Sequence, residues 1–451
     1  MHSEDHNQTK NLFKNILSVG LVQIANYLLP LISIPIIVRI IGPHNFGTIN
    51  YYVAFTAYFL LFINYGFDYT GTRFLAVDKD NIERRNEHFS KILYAKLFLF
   101  LCSALIFFIC ITFVSKTNDE YRVAVFTFLL AISNVLSPNW FYQGMQDLTK
   151  VAIFNLCTKV IYTLAILIIV KHQSDYILQP LALSVTQIII SVISFVLVIN
   201  KYKIKLQPVK LAAILNLLWI DRLIFFTLLS SNLYTDTNIV ILGLYETKEN
   251  IGYFSAAWKF IFIFLMVISF PISQAFFPYI AESFSKNVTK GIEQVRRVLP
   301  MIVYFTILGS VAIYFLADIL IISFYGEKFA PAVYVFKVLT LVPVLSYINT
   351  MLGLQTMVNL KMDKAYFRII LLGGIFSVVF NLIVIKFYGY KGGAWSWVFT
   401  EIVIALIMHF YLKSKGYNLF DIKLYSISNV LEEIKLLVKK FTHKSDSLKK
   451  I

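Results

Sequence analysis

Apolar residues run along most of this chain in long, nearly unbroken stretches separated by short polar ones. They follow neither the period-two alternation of a half-buried strand nor the one-sided stripe of a soluble helix. Stretches of this length suit the ~20 mostly apolar residues that an α-helix needs to cross a hydrocarbon core. Twelve spans are predicted, over residues 12–41, 46–66, 89–114, 121–142, 148–170, 177–199, 223–244, 251–280, 295–325, 331–360, 366–387 and 393–412. Several exceed the thickness of a bilayer and must tilt, kink or protrude. An outer-membrane barrel is excluded, because its strands would be segments of roughly ten residues alternating in polarity. The expected fold class is an all-α polytopic membrane protein.

The basic stretch 201–210 divides the spans six and six. This predicts an N-terminal lobe over residues 1–200, a partly amphipathic cytoplasmic linker over 201–222, a C-terminal lobe over 223–413 and a basic tail over 414–451. An internal echo supports the division. Ile41-Gly42 followed by Phe46-Gly47-Thr48-Ile49-Asn50-Tyr51 resembles Leu242-Gly243 followed by Ile251-Gly252-Tyr253-Phe254-Ser255-Ala256, each at the outer connection between the first two helices of its half. An even number of helices per half gives both halves one orientation, so the repeats would be related by an axis along the membrane normal. In the tail, Ile427, Val430, Leu431, Ile434, Leu437, Val438 and Phe441 recur at helical spacing, opposite Glu432, Glu433, Lys435, Lys439 and Lys440. That pattern predicts a helix lying on the inner leaflet.

Composition strengthens the class. The chain is 58% hydrophobic and 15% charged, against roughly 45–50% and 25% in soluble domains, which excludes a soluble enzyme and a large extracellular domain. Lys and Arg gather at alternate connections, around 79–91, 201–222, 286–297 and 361–368 and after Leu412, while the opposite side carries isolated residues such as Lys116, Lys171 and Lys328. The positive-inside rule then puts both termini in the cytoplasm. The net charge of +16 is mostly this asymmetry, so it argues for anionic inner-leaflet lipid as a partner and gives no reason to invoke nucleic acid. Cys102, Cys110 and Cys157 sit inside apolar runs at no metal-ligand or redox spacing, which excludes a disulfide scaffold, and no metal is expected.

Charged side chains in hydrocarbon are costly and usually face a cavity or a partner. At about 1.5 Å per residue, Lys159 lies about 16 Å into the fifth span, Asp236 about 20 Å into the seventh, Lys259 about 12 Å into the eighth and Glu401 about 12 Å into the twelfth. Lys96 and Lys337 lie about 10 and 9 Å from their nearer helix ends, within snorkelling reach, and Arg39 and Arg73 lie at helix ends. Lys159 shares a polar stripe with Asn155, Tyr162 and Thr163; Lys259 follows Ser255 by one turn; and Asn15, Ser18, Asn26 and Ser33 share a face of the first helix. Lys159, Lys259, Lys96, Lys337 and Arg39 are therefore the candidate cations of a cavity, and Asp236 and Glu401 the candidates for ion coupling. The competing account is an ion pair that locks a lobe, such as Asp236 with Lys259. A cavity richer in lysine than in carboxylate suits an anionic headgroup such as a phosphate. Neither a Walker loop nor a Ser-His-Asp or Cys-His pairing occurs, so no bound cofactor and no catalysis are expected.

Several short motifs, in their order and spacing, carry a resemblance. They are Pro35-Ile36-Ile37-Val38-Arg39-Ile40-Ile41-Gly42 with Phe46-Gly47; Asn64-Tyr65-Gly66-Phe67-Asp68 with Gly71-Thr72-Arg73; Pro138-Asn139-Trp140-Phe141-Tyr142-Gln143-Gly144-Met145; and Ile251-Gly252-Tyr253 with Pro271 and Phe277-Pro278. Over residues 11–412 the chain resembles the polysaccharide-export branch of the multidrug/oligosaccharidyl-lipid/polysaccharide (MOP) exporter superfamily, the Wzx-type O-antigen and polysaccharide repeat-unit flippases. The resemblance implies a MATE-like, V-shaped pair of six-helix lobes around a cationic cavity. It also implies movement of an undecaprenyl-diphosphate-linked oligosaccharide from the cytoplasmic to the periplasmic leaflet of the inner membrane by alternating access. Asp68, Arg73, Trp140, Gln143 and Gly144 are its motif residues here. Where the family often carries an acidic residue just after the Trp-to-Gly motif, this chain has Gln146. The chain is also similar to the lipid II flippases, in which helices one and eight flank a portal for the lipid tail, making Asn26, Ser33 and Ser255 candidate portal or cavity lining. A proton or sodium gradient is the expected energy source, and the pathway's polymerase and chain-length regulator are candidate partners. The alternative within the superfamily is a cation-coupled multidrug or small-molecule antiporter; Asp236 and Glu401 could serve it, but the outnumbering lysines disfavour it.

The charge distribution predicts that tags after Lys10 and Lys450 resist external protease, whereas a tag at Ser174 is cleaved once the outer membrane is opened. Cleavage at Lys450 with protection of Ser174 would reverse the orientation.

Overall fold

The computed structural model describes residues 2–235, 237–433 and 435, with side chains from Ser33 onward except at 231, 234, 235, 270, 271 and 273–275. Asp236 and the tail positions Ile434, Leu437, Val438 and Phe441 lie outside the described residues. Described regular structure is helical, as a chain in lipid requires, since a helix satisfies its backbone polar groups internally. In chain order the helices are α1 (His2–Asn64), α2 (Phe67–Asp78), α3 (Ile82–Val114), α4 (Asn118–Phe128), α5 (Leu130–Leu136), α6 (Asn139–Gly144), α7 (Leu148–Ile169) and α8 (Leu178–Tyr202). There follow α9 (Leu211–Thr235), α10 (Thr237–Tyr245), α11 (Lys248–Lys286), α12 (Val288–Phe315), α13 (Ala317–Tyr325), α14 (Ala332–Leu339), α15 (Val342–Leu352) and α16 (Asp363–Ser414).

Among the described residues, ten helical stretches are long and apolar enough to cross a membrane. Both breaks expected inside the longest helices occur at glycine. Gly42 interrupts α1 at φ +76°, and Gly389 interrupts α16 at φ +61°, a region that only glycine enters without strain. Counting each interrupted stretch as two makes the set consistent with twelve spans. Polar caps start other helices where the sequence turns apolar: Asn81 Oδ1 accepts from the Arg84 N–H at 3.1 Å to open α3, and Thr117 Oγ1 accepts from the Glu120 N–H at 3.2 Å to open α4. The fourth span is divided into α4, α5 and α6, and α15 of the tenth runs on into a π turn over Gly353–Met357. The seventh span begins at Leu211, within the stretch read as a linker.

The chain divides into two compact units. The first comprises Met1–Leu229, Glu246–Gly252 and Phe324–Lys328. Its core includes Phe67, Leu75, Phe89, Trp140 and Phe141, all nearly inaccessible, and a further aromatic cluster stacks Phe107 on Phe128 at 4.0 Å. The second comprises Ser230–Tyr245, Tyr253–Ser323 and Phe329–Ile451, around a core that includes Ile280, Leu299, Met357 and Met408. The described part of the tail is tied to α12 within this unit: the Tyr304 hydroxyl donates to the Tyr425 carbonyl at 2.7 Å, and Arg297 pairs with Glu433 at 3.1 Å. Val430 is buried, while Ile427 and Leu431 remain exposed.

The internal echo has a physical counterpart inside the first unit. Gly47 on α1 and Gly252 on α11, which occupy matching places in the two echoed motifs, lie backbone to backbone. A Cβ on Gly47 would collide with the Lys248 carbonyl and sit 2.6 Å from the Gly252 nitrogen; one on Gly252 would collide with the Pro43 carbonyl. Replacing either glycine by valine should destabilise the protein by about 1–3 kcal/mol or more, read as a lowered midpoint of thermal unfolding in detergent. An unchanged midpoint in both variants would show that the crossing is dispensable.

Candidate functional site

In the first unit, motifs far apart in sequence meet where α2 packs on α6. Tyr65 (φ +49°) and Gly66 (φ +93°) form a left-handed turn between α1 and α2, with the Tyr65 ring stacked on Phe225 at 4.5 Å. Asn64 Nδ2 donates to Asp68 Oδ2 at 2.7 Å. Thr72 Oγ1 lies 2.6 Å from the Asp68 carbonyl oxygen, 3.1 Å from that of Trp140 and 3.4 Å from Gln143 Oε1. Gly144 packs so closely that a Cβ there would lie 2.8 Å from Leu75. Asp68, Trp140, Gln143 and Gly144 thus belong to one packed junction, while Arg73 points outward with its guanidinium 5.6 Å from the Phe74 ring centre. Gln146 adopts φ +60° in the turn before α7.

The same segment explains Lys96. Ser137 is extended and Pro138 has no N–H, so the helix breaks after α5 and carbonyls near its end lose their helical donors. Lys96 reaches one of them from α3: its ammonium lies 3.3 Å from the Asn134 carbonyl oxygen, and the residue is only 2% exposed. Beside this break the first unit holds a cavity of about 340 Å³ lined by polar groups of α5, α7 and α8, including Ser133, Asn155 and Gln187. Lys159 lies one turn beyond Asn155 on α7 and is partly buried; Thr163 is buried, and the Tyr162 hydroxyl accepts from Gln179 Nε2 at 3.2 Å. Arg39 is exposed and Ser33 buried, and the side chain of Asn26 lies outside the description. Lys248 sits 3.6 Å above the Tyr51 ring centre, a cation–π contact beside the Tyr52 hydroxyl, which donates to Glu120 at 3.0 Å.

In the second unit, Lys259 is partly buried on α11 and Ser255 fully buried, its Oγ without a hydrogen-bond partner among the described residues. Lys337 pairs with Asp318 at 2.6 Å, with both side chains partly exposed. Glu401 on α16 is 5% exposed. Its carboxylate accepts from Ser346 Oγ at 2.8 Å and from Asn349 Nδ2 at 2.6 Å, both on α15, and it borders a cavity of about 150 Å³. Among the described residues no cation pairs with it, so this buried carboxylate is held by neutral donors alone.

Sequence reasoning missed Asp221. It lies on α9, only 3% exposed, with the Thr70 hydroxyl beside its carboxyl group and the Arg73 charge within electrostatic reach. The signal was present: the apolar residues from Leu211 to Leu218 extend the seventh span back past it. The other missed group is the Lys248–Tyr51 pair, since Lys248 reads in sequence as an ordinary loop cation.

The fold is that of MATE-like membrane transporters. The lipid II flippase MurJ in an inward closed conformation superposes with a TM-score of 0.74 at 14% identity, covering 94% of this chain and 92% of that one. An inward-facing multidrug resistance MATE family transporter of the MOP superfamily gives 0.68 at 12% identity, over 88% and 94%. Residues 12–284 match the family described as polysaccharide biosynthesis protein, and the chain belongs to that family. A protein of Escherichia coli (strain K12) named as an O-antigen transporter is 24% identical over 90% of this chain and 97% of its own length. One of Shigella dysenteriae with the same name is 26% identical over 88% and 98%. The resemblance to the polysaccharide-export branch of the superfamily therefore holds.

If Lys96 is the donor that answers the broken helix, Lys96→Met should destabilise the purified protein by about 1–3 kcal/mol, the cost of a buried carbonyl left unsatisfied. Thermal unfolding in detergent measures this, and an unshifted transition would free Lys96 for a purely substrate-facing role.

Proposed function

We propose that this protein is a flippase that moves an undecaprenyl-diphosphate-linked oligosaccharide from the cytoplasmic to the periplasmic leaflet of the bacterial inner membrane. The observation that carries the reading is that relatives named as O-antigen transporters align along nearly their whole length on a chain with the fold of a lipid flippase. The substrate has three chemically distinct parts. A diphosphate leaving water needs fixed positive charge, a glycan needs a wet surface, and a prenyl chain is best left in lipid.

Depth favours Lys159 and Lys259 as the positive groups, since each lies well inside a span and follows polar residues one turn earlier on its helix: Asn155 before Lys159, Ser255 before Lys259. Lys96 and Lys337 engage the Asn134 carbonyl and Asp318, and Arg39 is exposed on α1. For coupling to a proton or sodium gradient, Glu401 is the supported group: a carboxylate buried without a cationic partner is costly, and uptake of a proton or cation there would relieve that cost. The polymerase and chain-length regulator of the same pathway are the protein partners this activity would bring near.

Deletion of the gene should trap complete lipid-linked repeat units on the cytoplasmic side with glycosyl transfer intact, identified by mass spectrometry of the lipid extract. Normal surface polysaccharide in the deletion strain would overturn the reading. With protein levels matched, Lys159→Ala and Lys259→Ala should each lower surface polysaccharide about tenfold, equivalent to about 1.4 kcal/mol, and the corresponding arginine variants should retain part of it. Glu401→Gln should remove the dependence of flipping on pH or sodium; unchanged dependence would make Glu401 structural.

A further inference from the structure

The cavity beside the α5–α6 break asks for a different ligand from the diphosphate. Its volume of about 340 Å³ falls near the low end of ligand pockets, which run from about 300 to 1,000 Å³. Its wall is neutral. Asn134, Asn155 and Gln187 bring amides and Ser133, Thr158 and Ser191 bring hydroxyls, and among the described residues no charged side chain lines it. Phe154 adds an aromatic ring and Ile190 an aliphatic surface.

This chemistry excludes two classes of occupant and favours a third. A phosphate or an acidic sugar would lose its hydration with no cation in the wall to replace it, and a cationic drug would find no carboxylate. A neutral sugar suits the lining, because its amides can donate as well as accept and its hydroxyls, even where their own proton is engaged, still accept from a sugar hydroxyl. The apolar C–H face of a pyranose would lie against Phe154.

The lining is also incompletely satisfied by the protein itself. Ser133 Oγ donates to the Leu130 carbonyl at 2.7 Å and lies 3.3 Å from Gln187 Oε1, and Thr158 Oγ1 donates to the Phe154 carbonyl at 2.9 Å. Asn134 Oδ1 and Ser194 Oγ, by contrast, have no hydrogen-bond partner among the described residues. Both atoms are shielded from the cavity itself, so the groups offered to a ligand are the other polar atoms of the lining. The interruption at Ser137-Pro138 opens that space, since Ser137 and Asn139 on either side of the proline both line it.

We propose that this cavity is a subsite for one neutral sugar of the transported glycan, with Asn155 and Gln187 reading the hydroxyls that sugar presents. The proposal rests on the flippase reading and adds where glycan specificity resides. A site built to hydrogen-bond a hydroxyl discriminates strongly against analogues that lack or alter it, because its own polar groups are then left unpaired.

The test uses the purified full chain in detergent and the lipid-free oligosaccharide repeat unit released from the parent cell's surface polysaccharide, followed by saturation-transfer NMR. The wild type should give saturation transfer to one sugar ring above the others, and Asn155→Ala and Gln187→Ala should weaken binding about tenfold. Thr158→Val, which removes one hydroxyl at nearly constant shape, should weaken it less. Inorganic diphosphate binding, followed by phosphorus NMR on the same samples, should persist in all three variants and so report that they are folded. Absence of oligosaccharide binding to the wild type, or equal binding by wild type and all three variants, overturns the subsite. Failure of the flippase reading would show separately, as a deletion strain that traps no lipid-linked repeat unit.

Discussion

Backbone polar groups in a hydrocarbon solvent must find their partners inside the protein, and the polar architecture of this chain follows from where its helices are interrupted. In the first unit the break at Ser137-Pro138 removes helical donors, and Lys96 supplies one to the Asn134 carbonyl. The neutral cavity opens at the same break. In the second unit the π turn over Gly353–Met357 follows α15, and Leu354 within it borders the small cavity at Glu401. π turns inside α-helices are frequent at functional sites. An interruption of a span is thus paired with a polar cavity in each unit, since unpaired backbone and polar side chains are tolerated in the same place.

Three of the buried or half-buried cations meet three kinds of partner. Lys96 answers a carbonyl, Lys337 a carboxylate and Lys248 an aromatic face, and each of these contacts lies within one unit. Lys159 and Lys259 stand on helices that also carry polar residues one turn away. A lipid-linked glycan brings both chemistries to one protein, because phosphate needs charge while a sugar needs hydrogen bonds.

The spans were largely legible in the sequence. The third span read as 89–114 and the fifth as 148–170 are observed as Ile82–Val114 and Leu148–Ile169. The turn at Gly42 and the break near Gly389 fell between predicted spans because glycine punctuates an apolar run. The start of the seventh span was misplaced. Lys210, Asp221 and Arg222 make the stretch from 210 to 222 look like a linker, whereas the apolar residues between them carry the helix from Leu211, and Asp221 was missed with it. The echo between Phe46-Gly47 and Ile251-Gly252 was visible as a pattern, but nothing in a one-dimensional pattern reveals that the two glycines touch.

The sequence by itself determined that this is an all-helical membrane protein of the polysaccharide-export kind and roughly where its helices begin and end. These properties follow from local runs of apolar residues, from glycine and proline punctuation and from short motifs. Only the tertiary structure decided which polar groups meet. That Thr72 reaches the Trp140 carbonyl, that Lys96 serves a carbonyl at the α5–α6 break, that Lys337 has Asp318 for a partner and that Glu401 has neutral donors alone depends on how helices distant in sequence are rotated against each other. A side chain's face on a helix is set by residue count, but its partner is set by packing across the bundle, which no local pattern encodes.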